Sequence, residues 1–409
     1  MRLADPTNTS VKSADYVLVG GGLQSGLMAL AIRHHRPEAK IVILERESKL
    51  AGNHTWSFHA SDIPASCHAW AGSLIESRWP GYQIIVGGRT RQVDMPYVTC
   101  SSEHFATVIT EGLREGDCQV LTDTTATDIT ANSVRLADGT RLTATTVIDN
   151  RGPSRLEIAS FSGGFQKFWG FEIELSNDWP FENPIVMDDR VDQTDGFRFV
   201  YTLPMERRRV LVEDTRFSNT PTIDRDECFK QVTDYLKARD CGDYRIVREE
   251  SGVLPMPTTG FMPGNPLPHL AGGYRGGWFH AATGYSFPLA IQLAELVAIT
   301  PVDKLSEAMQ QLKLQNTGRA RFARFLNRLL FELVKPHTRY QIFRRFYRVL
   351  DEPAIARFYG HRFTWSDAFR IVVGVPPGGL RPWNFLRSFM KSKSKPANYP
   401  SAVSKRVPA

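Results

Sequence analysis

The chain has 409 residues, 42% hydrophobic and 23% charged, an ordinary globular composition that excludes wholesale disorder and allows two or three domains with cores of their own. Five cysteines, odd in number and widely spaced with no C-x-x-C pair, give no disulfide framework and no zinc site, and fit a reducing cytoplasm. The net charge of +7 is uneven: from Arg319 onward 19 Lys and Arg face four acids, whereas the preceding residues carry 31 against 39.

An acidic body with a basic tail section points to nucleic acid or an anionic membrane surface. The opening "MRLADPTNTSVKSA" lacks the apolar core of a signal peptide, and no uncharged run reaches about 18 apolar residues. A cytoplasmic chain without a membrane span is therefore expected.

In chain order, "DYVLV" (Asp15 to Val19) is an apolar run that stops at glycines, and "GGGLQSGLMALAIRHH" reads as a glycine turn opening a helix. "KIVILE" is a second buried strand that ends on Glu45. Strand, glycine turn, helix, strand and terminal acid predict a dinucleotide site. Gly20 and Gly22 let backbone N–H groups approach a pyrophosphate, and Glu45 hydrogen-bonds a ribose. The third glycine of the usual pattern would fall at Ser25, and here it is Gly26.

"AGNHTWSFH" follows directly, with His54 and His59 as candidate proton carriers or simply hydrogen-bonded histidines; no carboxylate stands at metal spacing. "YQIIVGG", "SVRLADGTRLTA", "FRFVYTLP" and "RRVLVEDT" alternate as strands and predict a mainly antiparallel sheet beside the parallel one, while "TTVIDNRG" is a later strand with its own glycine turn. In "RRVLVEDTRF" two acids, Glu213 and Asp214, close an otherwise buried strand. Either the strand surfaces there or an acid is kept in an apolar place for chemistry.

"FHAATGYSFPLA" sets Gly284 before an apolar helix, either an ordinary cap or a second helix N-terminus aimed at a cofactor. The chain then turns helical. "RARFARFLNRLLF" aligns Phe322, Phe325 and Leu329 between Arg321, Arg324 and Arg328. That layout suits a helix on an anionic bilayer or one packed on the protein body, and suits RNA less. "KSKSKPANYPSAVSKRVPA" reads as a polar, disordered tail.

Together these segments resemble the bacterial lycopene β-cyclases, flavoproteins of carotenoid synthesis. The resemblance runs from about Asp15 to Pro377 on "LVGGGLQSGLMAL", "GNHTWSFH", "VIDNRG", "GFQKFWGFE", "MDDRVDQTDGFRFVYTLP", "VLVEDTRF", "GVLPM", "FHAATGYSFPLA" and "RFYGHRFTWSDAFRI". The leader and the basic tail after Pro377 depart from it.

The resemblance implies an α/β fold of the flavin monooxygenase/reductase kind: a Rossmann-type FAD-binding domain, a mainly antiparallel substrate-binding sheet and a helical C-terminal section. The expected partition is FAD-binding at 15–60, 101–155 and 263–305, substrate domain at 61–100 and 156–262, a basic, possible membrane-facing helical section at 306–390 and a tail at 391–409. FAD is expected on Gly20, Gly22, Gly26, Glu45 and Gly284, active when reduced by NAD(P)H.

By the same resemblance Glu213 is the proton donor and Asp214 a supporting group; strand alternation puts the two on opposite faces. The implied reaction is redox-neutral. A proton is added at C2 of a ψ end group, C5=C6 attacks the cation at C1, and loss of the C6 proton leaves the β-ring. Lycopene and an anionic membrane surface are the expected partners, with no nucleic acid, and the expected location is cytoplasmic and peripheral to the membrane. The alternatives are an FAD-dependent monooxygenase or isoprenoid-chain reductase of the same fold, and a non-catalytic carotenoid-binding protein.

Overall fold

The structure, a computed structural model, describes residues 13–373 apart from 155–156, 159–160, 162, 261–266 and 268. The polar tail expected at 391–409 lies outside the described residues.

Strand β1 (Ser13–Val19), helix α1 (Leu23–His35) and strand β2 (Ile41–Leu44) make the opening βαβ unit, with β1 and β2 parallel. Tyr16 to Val19 and all of β2 are buried, the continuous apolar run of strands covered on both faces. β8 (Cys118–Leu121) pairs with β2 and β11 (Arg141–Asp149) with β1, both parallel. β9 (Ala126–Ile129) and β10 (Ser133–Leu136) complete a six-stranded sheet in the order β8-β2-β1-β11-β10-β9. The hairpin in "SVRLADGTRLTA" thus extends this first sheet antiparallel to β11 and is no part of the second. Helices α2 (Ser102–Gly112) and α4 (Phe287–Ile299), with α3 (Arg225–Lys237) between them in sequence, are the next long ones. The apolar faces of α1, α2 and α4 share one core.

The second sheet has seven strands in the order β16-β12-β15-β14-β13-β5-β6. They are β5 (Tyr82–Val86), β6 (Arg89–Val93), β12 (Gly163–Leu175), β13 (Ile185–Asp188), β14 (Phe197–Glu206), β15 (Arg209–Ser218) and β16 (Tyr244–Pro257). All neighbours are antiparallel except β13 with β5. Successive side chains leave opposite faces. Phe171, Ile173, Val210 and Val212 pack beneath α3, whereas Phe197, Phe199, Leu211 and Phe217 face the other side. A small sheet of β3 (Thr55–His59), β7 (Tyr97–Ser101) and β4 (Ser77–Trp79) completes the strands.

Helices α5 (Leu305–Asn327), α6 (Tyr340–Val349), α7 (Glu352–Tyr359) and α8 (Trp365–Val372) follow. Phe322 meets Phe363 at a tilt, ring centroids 5.5 Å apart, Arg324 is half-buried, and the Arg328 guanidinium donates to the Thr258 carbonyl, 2.9 Å. Of the stripe, Phe322 and Arg328 thus contact the body, whereas Phe325 and Leu329 are half-buried and Arg321 is exposed. Among the described residues of this section the large exposed apolar side chains are Leu314 on α5 and a group of four at and just beyond α8, Trp365 (73% exposed), Phe369 (64%), Val372 and Val373.

Candidate active site

One cleft of about 790 Å³ runs from the glycine turn after β1 to the aromatic face of the second sheet.

At its first end the glycines divide their work. Gly20 has φ +100°, and a Cβ there would stand 3.1 Å from the backbone of Arg151. The Gly21 N–H donates to Glu45 Oε2 at 2.6 Å, and a Cβ on Gly21 would come within 2.8 Å of the Glu45 Cβ. Gly22 opens into the cleft with nothing in its way. Gly21, unremarked in the sequence pattern, is thus the position where a side chain would push Glu45 away. Gly26 does not line the cleft: a Cβ there would lie 2.5 Å from the Phe105 ring, so its small size serves the contact between α1 and α2.

Asp149, fully buried, holds the Arg151 guanidinium by two bonds of 2.9 Å, and Arg275 approaches to 4.0 Å. Two guanidiniums and the bare N-terminus of α1 offer hydrogen-bond donors suited to phosphate, and the Glu45 carboxylate is an acceptor of the kind that takes a ribose hydroxyl. Gly284, with φ +68°, lines the same cleft just before α4.

The other end is aromatic, lined by Tyr82, Tyr97, Phe199, Tyr201, Phe217 and Phe343. Its phenols satisfy one another or a histidine, Tyr97 with Tyr201 at 3.2 Å and Tyr82 with His59 at 3.2 Å. Into this region β15 points Glu213, Thr215 and Phe217. Glu213 is 9% exposed, and burial together with the neighbouring Glu250 pushes its carboxyl well above the usual range.

Glu250 on β16 was not singled out by the sequence. Both acids pair with Gly170 across β12, and a methyl on that glycine would lie 2.8 Å from Glu213 Cγ and 3.2 Å from Glu250 Cγ. Glu250 Oε2 accepts from Arg248 Nη1 and from Thr55 Oγ1, each at 2.7 Å. Arg248 also reaches the Asn53 side chain at 2.9 Å and Glu172 at 2.8 Å. In "GNHTWSFH", then, Asn53 and Thr55 join the carboxyl cluster. His54 and His59 line the cleft, and His59 is tied to Tyr82.

Asp214 turns to the other face and does not line the cleft. There it is fully buried between Arg198 (2.8 and 2.5 Å) and Arg216 (2.9 Å), with Glu227 of α3 completing the network. Any support it lends Glu213 passes through the strand and not through a contact in the cleft.

The chain matches the family described as "Lycopene cyclase protein" over residues 15–382. It is 37% identical over 373 residues to the lycopene beta-cyclase of Pantoea ananas, covering 89% of this chain and 95% of that one. To that of Pseudescherichia vulneris it is 36% identical over 373 residues, 89% and 94% of the two chains. Among solved structures, a geranylgeranyl bacteriochlorophyll reductase-like protein from Thermoplasma acidophilum superposes with TM-score 0.58 at 13% identity, over 88% of this chain and 96% of the other. A probable FAD-dependent monooxygenase from Pseudomonas aeruginosa gives 0.52 at 14% identity, over 85% and 99%. At such identities these two likenesses report the fold.

Proposed function

The chain belongs to the lycopene cyclase family, and we propose that it closes the ψ end groups of lycopene into β-rings with Glu213 as the proton donor. The observation that carries this reading is the buried Glu213 carboxyl, pushed well above the usual carboxylate range by burial, on the wall of an aromatic cleft that also contains the glycine turn after β1. Its proton passes to C2 of the end group, and the C5=C6 electron pair closes the ring onto C1. The C6 proton then leaves as its bond pair restores C5=C6. The buried aromatic wall orients the polyene and excludes water, which would otherwise quench the cation as an alcohol.

The residues fit FAD as the cofactor. Gly20 to Gly22, Arg151 and Arg275 would take the pyrophosphate, Glu45 the ribose, and the Gly284 turn the flavin end. When bound and reduced, with NAD(P)H as our proposed reductant, the flavin supplies negative charge that stabilises a cation.

Lycopene resides in bilayers, so the chain has to meet one. No helix among the described residues is long and apolar enough to cross a membrane. The reading that it docks peripherally on anionic lipid is supported by the apolar patch of Trp365, Phe369, Val372 and Val373 next to a strongly basic section. The lipid contact proposed on this reading is α8.

The test is anaerobic incubation of the protein with lycopene in vesicles, FAD and NADPH, followed by chromatography for γ- and β-carotene. Glu213→Gln is expected to keep flavin and carotenoid binding and to lose cyclisation. Turnover by the wild type should fall as pH rises through the raised Glu213 pKa, because the donor must carry its proton. Activity retained in Glu213→Gln would refute the assignment. In a parallel incubation in air, product formation that consumes oxygen and fails without it would refute cyclisation in favour of a monooxygenase.

A further inference from the structure

We infer that Glu250 is the positioning residue of the proton donor: a carboxylate fixed by Arg248 and Thr55 that keeps the single proton of the pair on Glu213 and draws it back after ring closure. The inference rests on the cyclase reading above and deepens it.

Geometry comes first. Glu213 and Glu250 sit on the two strands that flank β12, each in register with Gly170. The missing side chain at Gly170 is what lets both carboxyls lean over the middle strand: a methyl there would stand 3.2 Å from Glu213 Oε1 as well as against both Cγ atoms. The two acids differ in their partners. Glu250, 3% exposed, has Arg248 and Thr55 on Oε2, whereas its Oε1 is buried without a hydrogen-bond partner among the described residues. No Lys or Arg nitrogen comes within 4.0 Å of Glu213 among the described residues, in contrast to the Arg248–Glu250 bridge at 2.7 Å. The charge therefore belongs on Glu250 and the proton on Glu213, because two carboxylates side by side in an apolar wall do not both ionise. Burial and Glu250 raise the Glu213 carboxyl, while Arg248 acts against them.

The neighbouring groups leave this assignment in place. Half-buried Tyr201 of β14, in register with Glu213, and buried Tyr97 of β7 are phenols whose desolvation keeps them protonated far above neutrality. Glu172 and Glu103 act on Arg248, and His54 lines the cleft on the side of Thr55.

The proton cycle then closes without an outside acceptor. Giving the proton to C2 leaves two carboxylates against one guanidinium. That state is relieved when the C6–H bond breaks, its electrons form C5=C6 and its proton joins the pair. Nothing is oxidised or reduced.

The experiment uses the full-length, FAD-loaded protein and the variants Glu250→Gln, Glu250→Asp and Glu213→Gln. Two quantities are followed against pH: the infrared carbonyl stretch of a protonated carboxyl, which needs no substrate, and turnover of vesicle-borne lycopene. Glu213→Gln should abolish the infrared band. In Glu250→Gln the band should vanish at lower pH, shifted by about one unit or more as expected for loss of an adjacent like charge. The alkaline limb of turnover should shift with it, and Glu250→Asp should restore both in part. An unmoved band and limb in Glu250→Gln would overturn the inference, whatever the turnover. So would a band that survives Glu213→Gln and disappears with Glu250. If the wild type shows the band and its shifts but no cyclisation, the carboxyl pair stands and the cyclase reading fails.

Discussion

Gly170→Ala adds one carbon and two hydrogens, and the fold fixes where the carbon goes. It would stand 2.8 Å from Glu213 Cγ and 3.2 Å from both Glu213 Oε1 and Glu250 Cγ, all tighter than ordinary contact near 3.5–4.0 Å. The strand backbone itself accepts alanine, since Gly170 is not among the glycines with positive φ. The cost is therefore steric. Overpacking of this kind runs at about 1–3 kcal/mol, offset by about 0.4–1 kcal/mol from a stiffer unfolded chain. A net loss of about 1 kcal/mol would lower the melting temperature of a chain this long by no more than a few degrees. Activity should suffer more. Relieving the contact requires the carboxyls to move by roughly half an ångström or more, and misplacement on the order of 1 Å costs about a hundredfold. The assay pairs a melting curve and flavin content with initial rates of β-ring formation. Cyclisation should fall by about ten- to a hundredfold in a protein that still melts cooperatively and carries its flavin. Wild-type rates in Gly170→Ala would show that the two carboxyls do not meet over this glycine.

Asp214→Asn should act on stability and not on chemistry. Arg198 and Arg216 lose a buried partner, which costs about 3–5 kcal/mol, so the melting temperature should drop sharply while the rate per folded molecule changes little. Glu45→Ala removes the acceptor of the Gly21 N–H and should weaken flavin retention, read by dialysis and absorbance, without preventing folding. Replacing Trp365 and Phe369 together with Ser should reduce co-sedimentation with anionic vesicles at unchanged thermal stability. If instead the melting temperature falls first, that patch packs against something and does not face lipid.

In the first sheet β1, β2 and the end of β11 were legible as short continuous apolar runs, a pattern that burial on both faces imposes, whereas the antiparallel hairpin with β10 was expected in the other sheet. Strand alternation also separated Glu213 from Asp214, and the structure keeps that separation. Glu250 escaped because its relation to Glu213 runs across a third strand, and no local period encodes which residue of β12 lies between two others. Its signal was present in hindsight: "REESG" carries acids in a strand as "VEDT" does, and "WGFE" supplies a glycine within a run of large residues. The Arg/Phe stripe is ambiguous for a different reason. Guanidiniums satisfy backbone carbonyls as readily as headgroups: Arg319 donates to Phe363, and buried Arg339 to Leu330 and Phe217. Composition alone does not distinguish the two uses. The spacing of Trp365, Phe369 and Val372, at i, i+4 and i+7, carried the exposed face instead.

The placement of an acid on each face of β15 also bears on how the chain finds its fold. Slippage of one residue against β12 or β14 would exchange the two faces. Asp214 and Arg216, two residues apart on one face of β15, would then enter the aromatic cleft, while Arg198 of β14 would stay buried on the far side without its carboxylate. A long antiparallel hairpin with apolar residues on both sides has little else to tell adjacent alignments apart, since Val210, Leu211 and Val212 are nearly interchangeable as hydrophobes. The two consecutive acids act as a register lock. Misaligned intermediates are penalised at two points, and the alignment that survives is the one that presents Glu213 to the cleft.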